Sequence, residues 1–280
     1  MFRSGDSIEG MSSIAYYLVA DLKDKSLSFF TDTTNFRRIT PSTYFERNGH
    51  PAVVVNGTFF NLTTSQNLDV VVKDGKMVSF NVNQQALKGK DTLLFRYTTR
   101  AAIGINKKRN ADAAWIYSDS SSKYPIAYQV SPPSWKGNGN EYTKSQFDAH
   151  SKGKGVKWKM QTVIGGGPML VQKGEQHITN DQEQMFPGKA INDRHPRTAI
   201  GYTKDQKLII LVVEGRNKGI AEGASLIHLA NILISLGCVE ALNMDGGGSS
   251  CLLVNGKETI KPSDKEGQRK VPAVLLVNSH

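Results

Sequence analysis

Short runs of β-branched and aromatic residues, each cut off by glycine, proline, asparagine or aspartate, recur along almost the whole of this chain, so most of it reads as strand. Strands are expected at Ala15–Val19, Leu27–Phe30, Ala52–Val55, Leu68–Val72, Leu93–Tyr97, Thr162–Ile164, Met169–Val171, Leu208–Val213 and Val271–Val277. Lys73-Asp74-Gly75-Lys76 and Asn255-Gly256 carry tight-hairpin dipeptides. One stretch departs from this rhythm. From Ser225 to Leu236, Leu226, Leu229, Ala230, Leu233 and Leu236 share one helical face, and Gly237 follows as a terminator. This helix connects Leu208–Val213 to Val239–Leu242, a β-α-β crossover near residues 208–243 that makes those two strands parallel in a mainly antiparallel system. The expected class is α+β: strand-rich mixed β-sheets flanked by a few helices. No linker or charge block divides the 280 residues, so residues 1–280 read as a single domain.

With 39% hydrophobic and 21% charged residues, the chain has apolar material for a sizeable core. Lysine and arginine outnumber aspartate and glutamate by 35 to 25, a net charge of +10 that favours acidic partners. Part of the excess lies in Ser131–Lys159, where Pro132-Pro133 and glycines at 137, 139, 153 and 155 predict a long irregular loop. That loop reads as a solvated lysine face, with Trp135, Tyr142 and Trp158 leaving a sugar-stacking role open. No recognition-helix, zinc-finger or RNP-type pattern accompanies the charge, so nucleic acid is not the expected partner. The six histidines lack metal-ligand spacing, and neither a metal nor another cofactor is expected.

Cys238 and Cys251 stand in apolar contexts; buried thiols are the favoured reading, with a disulfide left open. No apolar run reaches the roughly 18 residues of a membrane-spanning helix. The opening Met-Phe-Arg-Ser-Gly-Asp lacks the apolar segment of a secretory signal, so either the protein is cytoplasmic or its signal has been removed. Asn56-Gly57-Thr58 and Asn61-Leu62-Thr63 match the glycosylation triplet, a pattern common by chance.

The most informative chemistry is Asn243-Met-Asp-Gly-Gly-Gly-Ser-Ser250, one carboxylate beside a run of glycines between two strands. Without side chains, Gly246, Gly247 and Gly248 can turn backbone N–H groups toward an anion, and Ser249 adds a hydroxyl. Asp245 is then the candidate acid or base, although a glycine-rich turn with a locally bonded aspartate fits the same residues. Gly165-Gly166-Gly167-Pro168 offers a second bare loop, and Asn56-Gly57 follows another strand. Asp193-Arg-His-Pro-Arg-Thr198 clusters phosphate-binding groups, and Glu214-Gly-Arg216 ends an apolar strand. Together these segments fit a phosphate-plus-sugar site. Arg100-Ala-Ala-Ile-Gly-Ile-Asn also echoes Arg197-Thr-Ala-Ile-Gly-Tyr-Thr; two related hairpins or a common strand ending would each explain it.

Asn56-Gly-Thr-Phe-Phe, Gly166-Gly-Pro-Met-Leu-Val, Arg197-Thr-Ala-Ile-Gly, Val213-Glu-Gly-Arg, Gly223-Ala-Ser-Leu and Asn243-Met-Asp-Gly-Gly-Gly-Ser-Ser appear in an order that resembles the phosphodiester glycosidase family, over roughly Val53 to Val277. The resemblance implies hydrolysis of a sugar-1-phosphodiester at its anomeric carbon, with a GlcNAc-like sugar and a phosphorylated carbohydrate as substrate. It implies action outside the cytosol, as in a bacterial or viral exported relative. Transferred to this chain, Asp245 and Glu214 are the expected catalytic carboxylates, Glu214 standing where family members often carry aspartate. Arg197, Arg216 and the N–H groups of Gly246 to Gly248 are expected to hold the phosphate. Asn56, Thr198, Gly166, Gly167 and Ser249 are expected to complete the substrate site. The alternatives are a non-catalytic binder of phosphorylated envelope glycans and a phosphodiesterase cutting the P–O bond.

Overall fold

The computed structural model describes residues 1–3, 7–34, 36–86, 94–137 and 143–280. Three large sheets, of seven, seven and five strands, enclose one central core. The first is ordered Phe2–Arg3, Ala15–Asp21, Lys207–Val213, Arg197–Thr203, Cys238–Asn243, Met169–Gln172, Glu175–Gln176. The second runs Val156–Lys157, Ile126–Tyr128, Ala111–Tyr117, Arg100–Ile105, Thr162–Gly165, Val71–Lys73, Lys76–Ser79. The third is Lys257–Glu258, Leu252–Val254, Val53–Asn56, Ala273–Ser279, Leu27–Thr33. The strand-rich α+β class read from the sequence is the one observed. Of the expected Leu93–Tyr97 strand, Leu93 lies outside the described residues, Leu94 is not strand and Phe95–Tyr97 is.

Burial on both faces explains why the Lys207–Val213 strand is apolar without alternation. Leu208, Ile210 and Val212 enter the central core, whereas Ile209, Leu211 and Val213 face the opposite side and meet the Leu226–Ser235 helix. That helix is ten residues long, too short to be stable alone, so its packing face holds it. Leu226, Leu229, Ala230 and Leu233 are fully buried, each leucine contributing roughly 1.5–3 kcal/mol. Its start is fixed by a capping box: the His228 N–H donates to Ser225 Oγ at 3.2 Å, and the Ser225 N–H donates to His228 Nδ1 at 3.1 Å. The helix packs against the Cys238–Asn243, Met169–Gln172 and Glu175–Gln176 strands. Lys207–Val213 and Cys238–Asn243 are each antiparallel to Arg197–Thr203, hence parallel to one another with that one strand between them.

The second sheet repeats this plan. Arg100–Ile105 and Ala111–Tyr117 form a hairpin, as do Arg197–Thr203 and Lys207–Val213, so the echo between Arg100 and Arg197 marks related hairpins. Glu183 ties the two sheets together. Fully buried, its carboxylate accepts the N–H groups of Ala101 and Met169, each at 2.8 Å, Trp115 Nε1 at 3.0 Å and Thr179 Oγ1 at 2.6 Å.

The Ser131–Lys159 segment is not the irregular loop its composition predicts. Lys144–Lys154 is a helix, with Thr143 and Gln146 forming a capping box. A single apolar anchor holds it: Phe147 is buried, its ring 5.4 Å from Tyr97 and 5.7 Å from Trp135. With one anchor there is no helical periodicity to read. Trp158 is also a core residue, its indole Nε1 donating to Asp112 at 2.6 Å, which leaves no face for a sugar. Tyr142 lies outside the described residues. Cys238 and Cys251 are free and buried, and burial pushes both thiols up to about 12.

Candidate active site

In an antiparallel sheet, the start of a middle strand lies beside the ends of both neighbours. Arg197 opens its strand opposite Val213, and Ala199 pairs with Asn243. The turn bearing Arg216 and the loop bearing Asp245 therefore converge on Arg197. These residues, with Phe59, Phe186, Ala190, His195, Gly246, Gly247 and Arg269, line a cavity of about 220 Å³.

The Asp245 loop is held from behind. Its N–H donates to the Gly57 carbonyl at 3.1 Å, and its own carbonyl accepts Asn56 Nδ2 at 2.6 Å. Gly247, at φ +62°, donates its N–H to the Pro196 carbonyl at 2.8 Å. A side chain at Gly247 would be strained and would meet the Arg216 guanidinium at 3.0 Å. At Gly248 a Cβ would collide with the Asp264–Arg269 pair, in which Arg269 Nε and Nη2 reach the two carboxylate oxygens at 2.8 and 3.0 Å. The glycines thus admit two guanidiniums to the loop.

Loss of hydration pushes the Asp245 carboxyl up to about 7, although the Ser249 hydroxyl and Arg269 draw it down. Desolvation lowers His195 as well, with Arg197 and Arg216 acting in the same direction, which keeps the imidazole neutral near pH 7. Burial, opposed by Asp193 and reinforced by Arg216, lowers Arg197 to about 10, so it stays charged at neutral pH. Arg197 is fixed by main-chain carbonyls: Nε donates to Ala224 at 3.1 Å and Nη2 to Asp193 at 3.0 Å, with its guanidinium 5.7 Å from the Phe186 ring centroid. Phe59 meets Phe186 edge to face at 5.9 Å. One carboxyl poised near neutrality, guanidiniums and an aromatic wall can bind an anion and exchange a proton beside it.

The phosphodiester glycosidase family model matches residues 49–278. The chain belongs to the phosphodiester glycosidase family. A mouse N-acetylglucosamine-1-phosphodiester alpha-N-acetylglucosaminidase is 25% identical over 213 residues, covering 76% of this chain and 33% of the relative. The SPbeta prophage-derived uncharacterized protein YomE of Bacillus subtilis (strain 168) is 38% identical over 81 residues, 29% of this chain and 12% of the relative. This chain thus spans a third or less of those curated relatives. Among solved structures, the zebrafish N-acetylglucosamine-1-phosphodiester alpha-N-acetylglucosaminidase catalytic domain, auto-inhibited by its pro-peptide, superposes with a TM-score of 0.58 at 19% identity, covering 100% of this chain and 87% of that one. A Burkholderia pseudomallei K96243 protein described as exported gives 0.66 at 15% identity, covering 95% and 74%. Both structural likenesses establish the fold.

Of the residues expected in the site, Asp245, Arg197, Arg216, Gly246 and Gly247 line the cavity, but the Gly247 N–H, expected to face a phosphate, is given to the Pro196 carbonyl. Gly248 and Ser249 lie in the same short turn and are buried. Others stand behind it. Asn56 is buried and its amide is used internally: Oδ1 accepts Thr198 Oγ1 at 2.8 Å and the Cys251 N–H at 3.0 Å, while Nδ2 holds the Asp245 carbonyl. Asn56 and Thr198 therefore brace the loop from outside the cavity. The second glycine triplet presents no anion nest, because Gly165, Gly166 and Gly167 give their N–H groups to Val70, Ala101 and Asn243 at 2.8, 3.0 and 2.7 Å. Gly166 and Gly167 are packing positions.

Glu214 departs most from expectation. It is buried outside the cavity lining, its Oε2 accepting the Lys261 N–H at 2.9 Å and its Oε1 facing Asn217 Nδ2 at 3.5 Å. It thereby anchors the segment that delivers Asp264 and Arg269. Arg269 and Phe186 were missed in the sequence because neither stands in a glycine triplet or at the end of a strand, although Gly267 and Gly188 lie two residues away; long-range packing brings them in. Among the described residues, no group of three or more His, Cys, Asp or Glu could hold a metal ion.

Proposed function

We propose that this cavity hydrolyses the C1–O bond of a sugar-1-phosphodiester bearing a GlcNAc-like sugar, releasing free sugar and a phosphomonoester. One observation supports this most: the Asp245 carboxyl, held near a pKa of about 7, shares a cavity of about 220 Å³ with Arg197, Arg216 and Arg269. The arginines neutralise charge that builds on phosphate as the C1–O bond breaks, and a phosphomonoester needs little protonation to leave. Asp245, ionised, takes a proton from the attacking water as C1 acquires oxocarbenium character. With Glu214 outside the lining, Asp245 carries this role without a second carboxylate, and neutral His195 is placed to orient water or a sugar hydroxyl. The Phe59 and Phe186 rings offer an apolar wall to the sugar. Action outside the cytosol accords with the likeness to a protein described as exported.

Product analysis on an N-acetylglucosamine-1-phosphodiester tests the reading, with wild type run beside Asp245→Asn. Free reducing sugar and phosphomonoester, lost in the variant, are expected. Sugar-1-phosphate as product would move the cleavage to phosphorus, and binding without turnover in either form would make the cavity a glycan-binding site.

A further inference from the structure

A second concave site lies at the other end of the second sheet. The Val71–Lys73/Lys76–Ser79 turn, the Arg100–Ile105/Ala111–Tyr117 turn and the segments around Tyr124 and Lys159 enclose a cleft of about 650 Å³. Lys76, Lys107, Lys108, Lys123 and Lys159 line it, and Asp74 is the one acidic residue among its walls. None of these five lysines forms an ion pair with a described carboxylate, whereas Lys73, Lys144, Lys152 and Lys207 do. The Tyr124 ring lies beneath two of the ammonium groups, Lys123 at 5.3 Å and Lys159 at 5.9 Å from its centroid. A smaller concavity of about 340 Å³ continues past Lys123 and Tyr124 to Lys157.

Five ammonium groups from four separate segments, without an ion-pair partner among the described residues, repel one another, and an anion placed among them relieves that repulsion. Exposed lysines scattered on a convex face would have no such effect, because each would be separately hydrated and screened. The cleft is concave, aromatic-floored and continuous with a second basic concavity, so it suits an extended chain bearing repeated negative charge.

Its position relative to the catalytic cavity sets the ligand's length. Gln161 lines the cleft, and Gly167, six residues on through the Thr162–Gly165 strand, donates to the Asn243 carbonyl two residues before Asp245. At about 3.3 Å per extended residue, that separation is on the order of 20 Å. A single diester in the cavity does not reach so far.

We propose that the lysine cleft is an exosite for the distal units of a polymeric sugar-phosphodiester, holding the chain while one linkage occupies the catalytic cavity. The proposal rests on the function proposed above, and its test keeps the two apart. The quadruple variant Lys107→Gln/Lys108→Gln/Lys123→Gln/Lys159→Gln changes only exposed side chains. Two substrates are compared, a short N-acetylglucosamine-1-phosphodiester and a long polymer of N-acetylglucosamine-1-phosphate units, each at low and high salt. Turnover of the short diester should be unchanged, whereas KM for the polymer should rise about tenfold or more, with kcat little altered and the wild-type advantage fading as salt rises. Equal KM for the polymer in both proteins would overturn the exosite. So would single-stranded DNA of equal charge competing as well as the polymer itself, which would assign the cleft to nucleic acid. Loss of short-diester turnover in wild type would instead reject the proposed function, leaving direct binding of the uncleaved polymer, wild type against variant, to decide the exosite.

Discussion

The two seven-stranded sheets place an arginine in the same register, yet of the two only Arg197 lines the cavity that holds Asp245. In the second sheet Arg100 pairs across its hairpin with Ile116, and Ala102 pairs with Gly165; in the first, Arg197 pairs with Val213, and Ala199 with Asn243. The next contact separates them. Gly165 donates to the Val70 carbonyl and Asn243 to the Pro168 carbonyl, so Asp69 before Val70 corresponds to Gly167 before Pro168. Asp69 meets Arg100 at 3.0 Å and also accepts the Phe59 N–H at 2.7 Å, which closes that end as a buried ion pair. Gly167 has no side chain to offer Arg197, whose fork is held by carbonyls and remains charged beside the cavity. One repeat uses its arginine for cohesion; its counterpart leaves it at the wall of a cavity.

The sharpest way to test that contrast is Asp245→Asn, because it removes the group the second sheet lacks. Hydrolysis of the short diester should fall by about 10³-fold or more in kcat. The folded-state pKa of Asp245, about 7, lies above its ordinary 3.8, so the folded protein binds the proton more tightly than the unfolded chain. Stability is therefore full below the unfolded value and declines as pH rises through about 7. Asp245→Asn should accordingly raise the melting temperature at pH 8 relative to wild type and change it little at pH 4, as read by calorimetry. If the ionised form is the catalyst, wild-type kcat/KM should climb as pH rises through about 7 and then level; a fall over that range would make Asp245 the proton donor.

Arg100→Ala should expose the structural use of the matching arginine. Leaving Asp69 buried without its partner should cost about 3–5 kcal/mol in denaturant unfolding, with residual activity following the folded fraction. Arg197→Ala should do the reverse: a loss of about 10²–10³ in kcat/KM and a smaller loss of stability. Matching losses in both measurements for the two variants would abolish the distinction between the sheets. Glu214→Gln gives the smallest effect. It retains an oxygen for the Lys261 N–H, so kcat should stay within about tenfold of wild type, whereas a loss as large as that of Asp245→Asn would return Glu214 to the chemistry.

Much of this arrangement is legible in the residues themselves. The Leu226–Ser235 helix shows its apolar face at a regular spacing with a serine cap and a following glycine, all local signals. The Arg197 hairpin and the Asp245 loop likewise carry their residues within a few positions of each other. The Lys144–Lys154 helix is hidden because Phe147 alone anchors it, and burial of one residue leaves no period.

By itself the sequence determined that the chain is strand-rich, where the crossover helix lies, which family the chain resembles and that Asp245, Arg197 and Arg216 are the reactive candidates, because these follow from short-range pattern and motif order. Tertiary structure alone decided that Asn56, Thr198, Gly166 and Gly167 stand behind the site, that Glu214 is an anchor, that Arg269 and Phe186 complete the cavity and that five distant lysines share a cleft. Those outcomes depend on which strand ends become neighbours and on how much water each side chain loses, and neither quantity is written in any one segment of the chain.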